Sequence, residues 1–232
     1  MGDRYTITAA KNTLAERFSI DVPERYVPRF NAAPTQILPV ITAGSNGISF
    51  FYWGQLPERA KNRSISSKLL YIGTESILEK PATFRALMER RCLIPADGFY
   101  DWKRISKKGR VAHRFVFEQE ELVSFGGLWE EFENESGEVM HTFKILTAAA
   151  DVESSTTLSS RIPFVLDKGK EKTWLSQNSS EPELKDVLTS GITSQMRSYS
   201  VSPKIDDVAN DSPALIKPFA PTDQFGNYSL FD

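Results

Sequence analysis

The stretch from Arg90 to Trp102 constrains the fold most, because a strand pattern, a turn pattern and an acidic aromatic cluster follow one another there. The apolar burst Cys92-Leu93-Ile94 is too short for a helix and is typical of a buried strand. Pro95-Ala96-Asp97-Gly98 then predicts a turn. In Phe99-Tyr100-Asp101-Trp102 one carboxylate stands among three aromatic residues, surroundings that favour the protonated acid and suit proton transfer. The alternative is a loop whose aromatic side chains seal a core.

The rest of the chain combines many short strand patterns with few helical ones. Strands are predicted at Ile37–Thr42 and Gly47–Trp53, a hairpin at Leu128–Phe132 and Val139–Leu146, and helices at Pro81–Arg91 and Glu181–Thr189. Residues 64–77 are compatible with a loop, a short strand or a helical turn. We predict one α+β domain, residues 1–218, built on a curved, mainly antiparallel sheet or barrel with peripheral helices, followed by a tail, residues 219–232.

The total charge is nearly balanced, with 28 Lys and Arg against 30 Asp and Glu. This balance gives no general reason to expect nucleic acid or an acidic membrane as a partner. Residues 59–114, however, carry 14 basic and five acidic side chains. Such a segment predicts either a local anion-binding face or an ordinary solvated surface.

Cysteine and histidine residues give no sign of a metal centre. Cys92 is the single cysteine, which excludes an internal disulfide and a cysteine-rich metal site. His113 and His141 lack the spacing of metal ligands, so we expect neither metal nor cofactor. The chain shows no signal region and no apolar run approaching the ~20 residues that span a bilayer, which predicts a cytoplasmic protein without membrane contact.

Eight stretches, one of them within Arg90 to Trp102, form an ordered set of motifs from residue 2 to about residue 218. They are Arg4-Tyr5, Phe30 to Gln36, Trp53-Gly54, Arg91 to Trp102, Gly127 to Glu130, Thr147 to Asp151, Arg161 to Pro163, and Asn210 to Pro218. This set resembles the SRAP family (SOS response-associated peptidase). The resemblance implies the family's fold and a nucleoid-associated protein of the DNA damage response. It also implies binding and covalent linkage to abasic sites in single-stranded DNA, and autoproteolytic peptidase activity.

The catalytic positions implied by the resemblance carry other residues in this chain. Family members have a cysteine after the initiator Met, whose thiol and α-amine condense with the abasic aldehyde to a thiazolidine, and this chain has Gly2. The family's catalytic Glu corresponds to Asp101 and its His to Ser159. In the element Asn-Ala-Arg-Ala-Glu-Thr, the Asn and the Arg correspond to Tyr71 and Gly73.

These replacements limit the chemistry to be expected. No thiazolidine forms without a thiol, but removal of Met1 would leave the α-amine of Gly2, with a pKa of about 8, to attack an aldehyde and give an imine. The sequence leaves open whether enzymatic activity is retained. The alternatives are a non-catalytic relative that binds DNA or a protein, and a pocket for a small ligand.

The expected partner is single-stranded DNA with abasic sites or junctions with duplex, bound by a monomer. The candidate DNA-binding residues are Arg4, Asn31, Trp53, Tyr71, Arg85, Arg91, Thr147 and Arg161. Arginine neutralises phosphate and tryptophan stacks on bases, although Trp53 is equally expected in a core. Asn31 and Thr147 match positions that line the abasic-site pocket in the family. Alternatively, Asn31 forms hydrogen bonds within a turn and Thr147 forms them at the end of a strand.

The C-terminal tail carries a second partner motif. Asn227-Tyr228-Ser229-Leu230-Phe231 resembles the pentapeptide with which bacterial proteins engage the sliding clamp, and Pro218 to Gly226 would serve as its flexible tether. The alternative is that Leu230 and Phe231 dock on the domain.

Overall fold

The computed structural model describes residues 2–56, 66–117, 122–134, 136–150, 159–190 and 196–228, whose strands form two sheets. In chain order the strands are β1 Tyr5–Ile7, β2 Arg29–Ala32, β3 Ile37–Thr42, β4 Ser49–Trp53, β5 Tyr71–Gly73, β6 Arg91–Ala96, β7 Gly98–Arg104, β8 Arg110–Phe117, β9 Val123–Glu133, β10 Val139–Ala149, β11 Arg161–Pro163, β12 Val165–Leu166 and β13 Met196–Ser200. The helices are α1 Lys11–Phe18, α2 Ser67–Leu70, α3 Thr74–Glu79, α4 Pro81–Glu89, α5 Glu171–Leu175 and α6 Glu181–Thr189, with 3-10 turns at Lys168–Lys170, Pro203–Asp206 and Pro213–Ile216.

Five strands close into a barrel. β3 pairs with β4 and β6, β9 joins β6 to β10, and parallel pairing of β10 with β4 completes the ring. A Cβ atom at Gly127 on β9 would lie 2.2 Å from Ile94 Cδ1, so glycine permits the close approach of β9 and β6. The prediction of an α+β domain with a curved, mainly antiparallel barrel and peripheral helices is confirmed.

The second sheet has the order β13, β8, β7, β1, β2. Its strand β7 follows the barrel strand β6 after a single intervening residue. The predicted turn at Pro95-Ala96-Asp97-Gly98 is therefore wrong in extent, because only Asp97 separates β6 from β7. Asp97 is buried and accepts hydrogen bonds from the side chains of Thr6, Thr8 and Arg114. These charge-assisted bonds hold the corner without a longer loop.

The local predictions had mixed outcomes. The strand Ile37–Thr42, the helix Glu181–Thr189 and the hairpin formed by β9 and β10 are confirmed. The described part of residues 64–77, for which the sequence left a loop, a strand or a helical turn open, contains α2, β5 and the start of α3.

The prediction of a flexible tether from Pro218 to Gly226 is wrong. Phe219 donates its N–H to the Ser200 carbonyl, Asp223 forms a β-bridge with Val111, and the Gln224 side chain exchanges hydrogen bonds with the Lys108–Arg110 backbone. The two apolar anchors of the proposed clamp peptide, Leu230 and Phe231, lie outside the described residues. Within the described ranges, no helix has the length and apolar character needed to cross a membrane.

Candidate functional site

An open cleft of about 340 Å³ lies where β5, β10 and β11 meet. Thr147 on β10 pairs with Gly73 of β5 on one side and with Pro163 of β11 on the other. The cleft is lined by Ser67, Lys68, Tyr71, Gly73, Thr147, Ser160 and Arg161. Its volume is at the lower end of the range for small-molecule sites, which suits one sugar-sized group.

Arg161 forms one wall of the cleft and is held by Thr147. Its Nε donates to Thr147 Oγ1 at 2.9 Å, and its Nη2 donates to the Thr147 carbonyl at 2.6 Å. Gly73 leaves the necessary room, since a Cβ there would lie 2.8 Å from Arg161 Nη2. The Arg161 side chain is still 38% exposed, so an anionic ligand can reach a guanidinium whose position is already fixed.

Glu75 is the charge partner of Arg161. Its Oε2 accepts a hydrogen bond from Arg161 Nη2 at 2.8 Å. Partial desolvation acts to raise the pKa of Glu75, but hydrogen bonds from Arg161 and backbone N–H groups, with the Arg161 charge, outweigh it and lower that pKa. Glu75 is therefore ionised at neutral pH and competes with any bound phosphate for Arg161.

Tyr71 connects the cleft to the N-terminal segment. Its hydroxyl donates a hydrogen bond to the Gly2 carbonyl at 2.8 Å, and its ring packs edge-on against Trp53 with centroids 5.9 Å apart. Burial raises the pKa of Tyr71 well above its usual value, with further increases from the charges of Asp3 and Asp101 and an opposing effect of Arg4. Tyr71 therefore stays a neutral hydrogen-bond donor at neutral pH.

The predicted catalytic positions Asp101 and Ser159 are in direct contact. Asp101 Oδ2 accepts the Ser159 N–H at 2.9 Å, and Oδ1 accepts the Trp102 N–H at the same distance. Asp101 is 4% exposed and is not among the described residues that line the cleft. In this conformation it fixes the segment that leads into Arg161, and so acts on the cleft through the backbone.

The third predicted catalytic position, Gly2, has no space for a side chain. A Cβ there would lie 2.1 Å from Trp102 Cζ3 and 2.7 Å from the Tyr100 carbonyl oxygen. Cys92, the chain's only cysteine, supplies no replacement thiol, because it is fully buried on β6 and burial raises its pKa. The cleft therefore lacks a thiol nucleophile.

Three predicted DNA-binding residues, Tyr71, Thr147 and Arg161, meet at the cleft. Arg4 lies close to Tyr71, but its side chain is 11% exposed and is paired with Asp3 at 3.2 Å. Arg85 lines a separate hollow beside α4 and α6. The structure thus separates Arg85 from Arg161 on the surface.

The positions of three other candidates correct the prediction that they contact DNA. Trp53 is fully buried, which agrees with the alternative of a core tryptophan, and it supports the ring of Tyr71. Asn31 is also fully buried and lies on β2, and its Nδ2 donates to three backbone carbonyls. Arg91 is 1% exposed and its guanidinium donates only to backbone carbonyls among its described contacts.

The described basic residues of segment 59–114 do not form one anion-binding face. Arg91 and Arg114 are buried in separate hydrogen-bond networks, while Lys68 lines the cleft. Three other basic residues of the segment, Arg59, Lys61 and Arg63, lie outside the described residues.

Three residues at the site were not predicted from the sequence: Lys68, Glu75 and Ser160. Glu75 occupies the Glu position of the Asn-Ala-Arg-Ala-Glu-Thr element, a match that could have identified it. Lys68 precedes that element on the short helix α2, for which the sequence carried no clear pattern.

Comparison with known proteins gives consistent results over most of the chain. The sequence matches the family described as "SOS response associated peptidase (SRAP)" over residues 1–208. The protein named abasic site processing protein YoqW from Bacillus subtilis (strain 168) is 34% identical over 223 residues, covering 94% of this chain and 99% of the relative. Abasic site processing protein YedK from Escherichia coli (strain K12) is 25% identical, with 88% of this chain and 92% of the relative covered.

Solved structures show the same fold. A crystal structure of a protein from Bacteroides thetaiotaomicron has a TM-score of 0.75 at 20% identity and covers 94% of this chain and 100% of its own. One from Bordetella bronchiseptica has a TM-score of 0.68 at 18% identity, with coverage of 87% and 100%. The chain belongs to the SOS response associated peptidase (SRAP) family.

Proposed function

We propose that this protein recognises abasic sites in single-stranded DNA through the cleft at Tyr71, Thr147 and Arg161, as a DNA-repair protein. The observation that carries the proposal is the fixed, exposed guanidinium of Arg161 on the wall of a sugar-sized cleft. Membership of the SRAP family and the names of the relatives, abasic site processing proteins, support the same substrate.

Phosphate recognition falls to Arg161. Its Nε and Nη2 already donate to Thr147 and Glu75, so among its described bonds Nη1 is left to donate to a phosphate, in a position that is set before the ligand arrives. An abasic nucleotide fits because it lacks the base that would have to enter the cleft beside the sugar.

Covalent chemistry in this cleft is limited to amines. A thiazolidine needs an amine and a thiol, and no thiol is available at residue 2 or from Cys92. An amine alone gives an imine with the ring-opened aldehyde, which water reverses. The α-amine of Gly2 is one source, provided that Met1 is removed. A purely DNA-binding relative is the alternative, and it predicts no reducible adduct.

Replacing Arg161 with Met is expected to weaken binding to a single strand containing a tetrahydrofuran abasic analogue by about tenfold, because a hydrogen bond to a charged group is lost. The salt dependence, measured as log K against log salt, should become shallower by about 1. Fluorescence anisotropy over a salt series measures both quantities.

The matched control is Arg85→Met, which removes an exposed arginine from the separate hollow. It should leave affinity and salt slope close to those of the unmodified protein. If Arg85→Met weakens binding as much as Arg161→Met, the assignment of the DNA to this cleft is contradicted.

A further inference from the structure

We propose that Lys68 is the amine that reacts with the abasic aldehyde in this protein, an inference that rests on the proposed function. Lys68 is the only lysine among the described residues that line the cleft, where it accompanies Tyr71, Thr147 and Arg161. Lys68 thus supplies a nucleophile to a site in which residue 2, the position of the family's thiol, is a glycine with no room for a side chain.

The fold anchors the residues next to Lys68 and leaves its side chain accessible. Leu70 is 3% exposed, and its carbonyl accepts the Trp53 indole N–H at 3.3 Å. β5 follows directly and is paired with β10. Lys68, two residues before Leu70, is exposed, so its long side chain can reach a sugar bound beside Arg161.

The N-terminal residue is placed less favourably than Lys68 for this reaction. The carbonyl of Gly2 is held by the Tyr71 hydroxyl, and the residue packs against Trp102. Gly2 is not among the described residues that line the cleft. Its α-amine also exists only after Met1 has been removed, whereas the Lys68 amine does not depend on processing.

The reaction is a balanced, reversible condensation. The lone pair of unprotonated Lys68 Nζ attacks C1′ of the ring-opened deoxyribose and forms a C–N bond, while the aldehyde oxygen takes up a proton. The resulting carbinolamine loses water to give a protonated imine. Addition of water to the imine reverses these steps and restores both the aldehyde and Lys68. Borohydride, added as an external reductant, donates hydride to the imine carbon and makes the link permanent.

The test is borohydride trapping of the full chain on an abasic single strand, followed by peptide mapping. Lys68→Arg keeps the positive charge but removes the primary amine, and Lys80→Arg is the control at an exposed lysine outside the cleft lining. Trapping should be lost in Lys68→Arg and retained in Lys80→Arg. In the unmodified protein the DNA should be attached to the peptide that contains Lys68.

Binding of each variant to a tetrahydrofuran-containing strand, which has no aldehyde, separates the two proposals. Undiminished trapping of Lys68→Arg with the DNA on the N-terminal peptide would overturn the assignment of Lys68. Failure of the unmodified protein to be trapped, while it still binds the tetrahydrofuran strand, would also overturn it and would leave the proposed function standing. Failure to bind that strand would overturn both proposals.

Discussion

Replacing Arg91 with Met is expected to lower the free energy of unfolding by about 3–5 kcal/mol, because several backbone carbonyls lose their donor and each unsatisfied buried acceptor costs about 1–3 kcal/mol. The Arg91 side chain is among the largest fully buried ones. Its Nε donates to the Trp174 carbonyl at 2.6 Å, Nη2 to Ser176 at 2.6 Å, and Nη1 to Leu87 at 3.1 Å and to Met88. Met fills part of the volume but supplies no donor.

The acceptors explain why the effect is large. The carbonyls of Leu87 and Met88 belong to the last turn of α4, and those of Trp174 and Ser176 to the end of α5. Carbonyls at helix C-termini lack intrahelical partners and carry the negative end of the helix dipole. Arg91 therefore satisfies two helix ends at once, although burial lowers its pKa.

The neighbouring arginine provides the control for Arg91. The Arg90 side chain is 36% exposed and lies 3.9 Å from Glu131, so Arg90→Met should cost less than about 1 kcal/mol. Urea denaturation of both variants measures the difference. Equal losses for Arg90→Met and Arg91→Met would contradict the assigned role of the Arg91 contacts.

Replacing Asp97 with Leu should also lower the free energy of unfolding by about 3–5 kcal/mol, because it leaves Arg114 charged and buried without its carboxylate partner. Arg114 Nη2 donates to Asp97 Oδ1 at 2.9 Å, and the two side chains are 9% and 8% exposed. Arg114 also donates from Nη1 to the Tyr199 hydroxyl, which in turn donates to the Ile216 carbonyl. Loss of Asp97 thus disturbs the junction of the two sheets and the contact with the C-terminal segment.

A double-mutant cycle separates the ion pair from other effects of the substitution. Asp97→Leu combined with Arg114→Leu removes both charges, so the double variant should be less destabilised than the sum of the single variants. Urea denaturation of the four proteins gives the coupling energy. Additive losses would contradict an energetically coupled pair.

The strands and helices that were predictable from sequence are those with local signals. The hairpin β9–β10 shows apolar residues on both sides of a polar turn, and Glu183 completes a capping box with Ser180 at the start of α6. Arg90 and Arg91 show the limit of such signals. They are adjacent and chemically identical, and burial of Arg91 depends on the end of α5, 83 residues away in the chain for the Trp174 contact.

The candidate site was only partly predictable for a similar reason. Motif matches identified Tyr71, Thr147 and Arg161, which the structure brings together. Motifs do not report burial, and so they gave Asn31 and Trp53 the same status as Arg161. Lys68 lies outside every matched stretch and enters the cleft only because β5 pairs with β10.

The most direct test of the proposed function compares an abasic single strand with the same undamaged strand, each incubated with the protein with and without borohydride. Denaturing electrophoresis then detects covalent adducts. We predict an adduct only on the abasic strand and only with borohydride, because an amine without a thiol forms a link that water reverses. An adduct that survives denaturation without borohydride, or equal adducts on both strands, would contradict this account of the site.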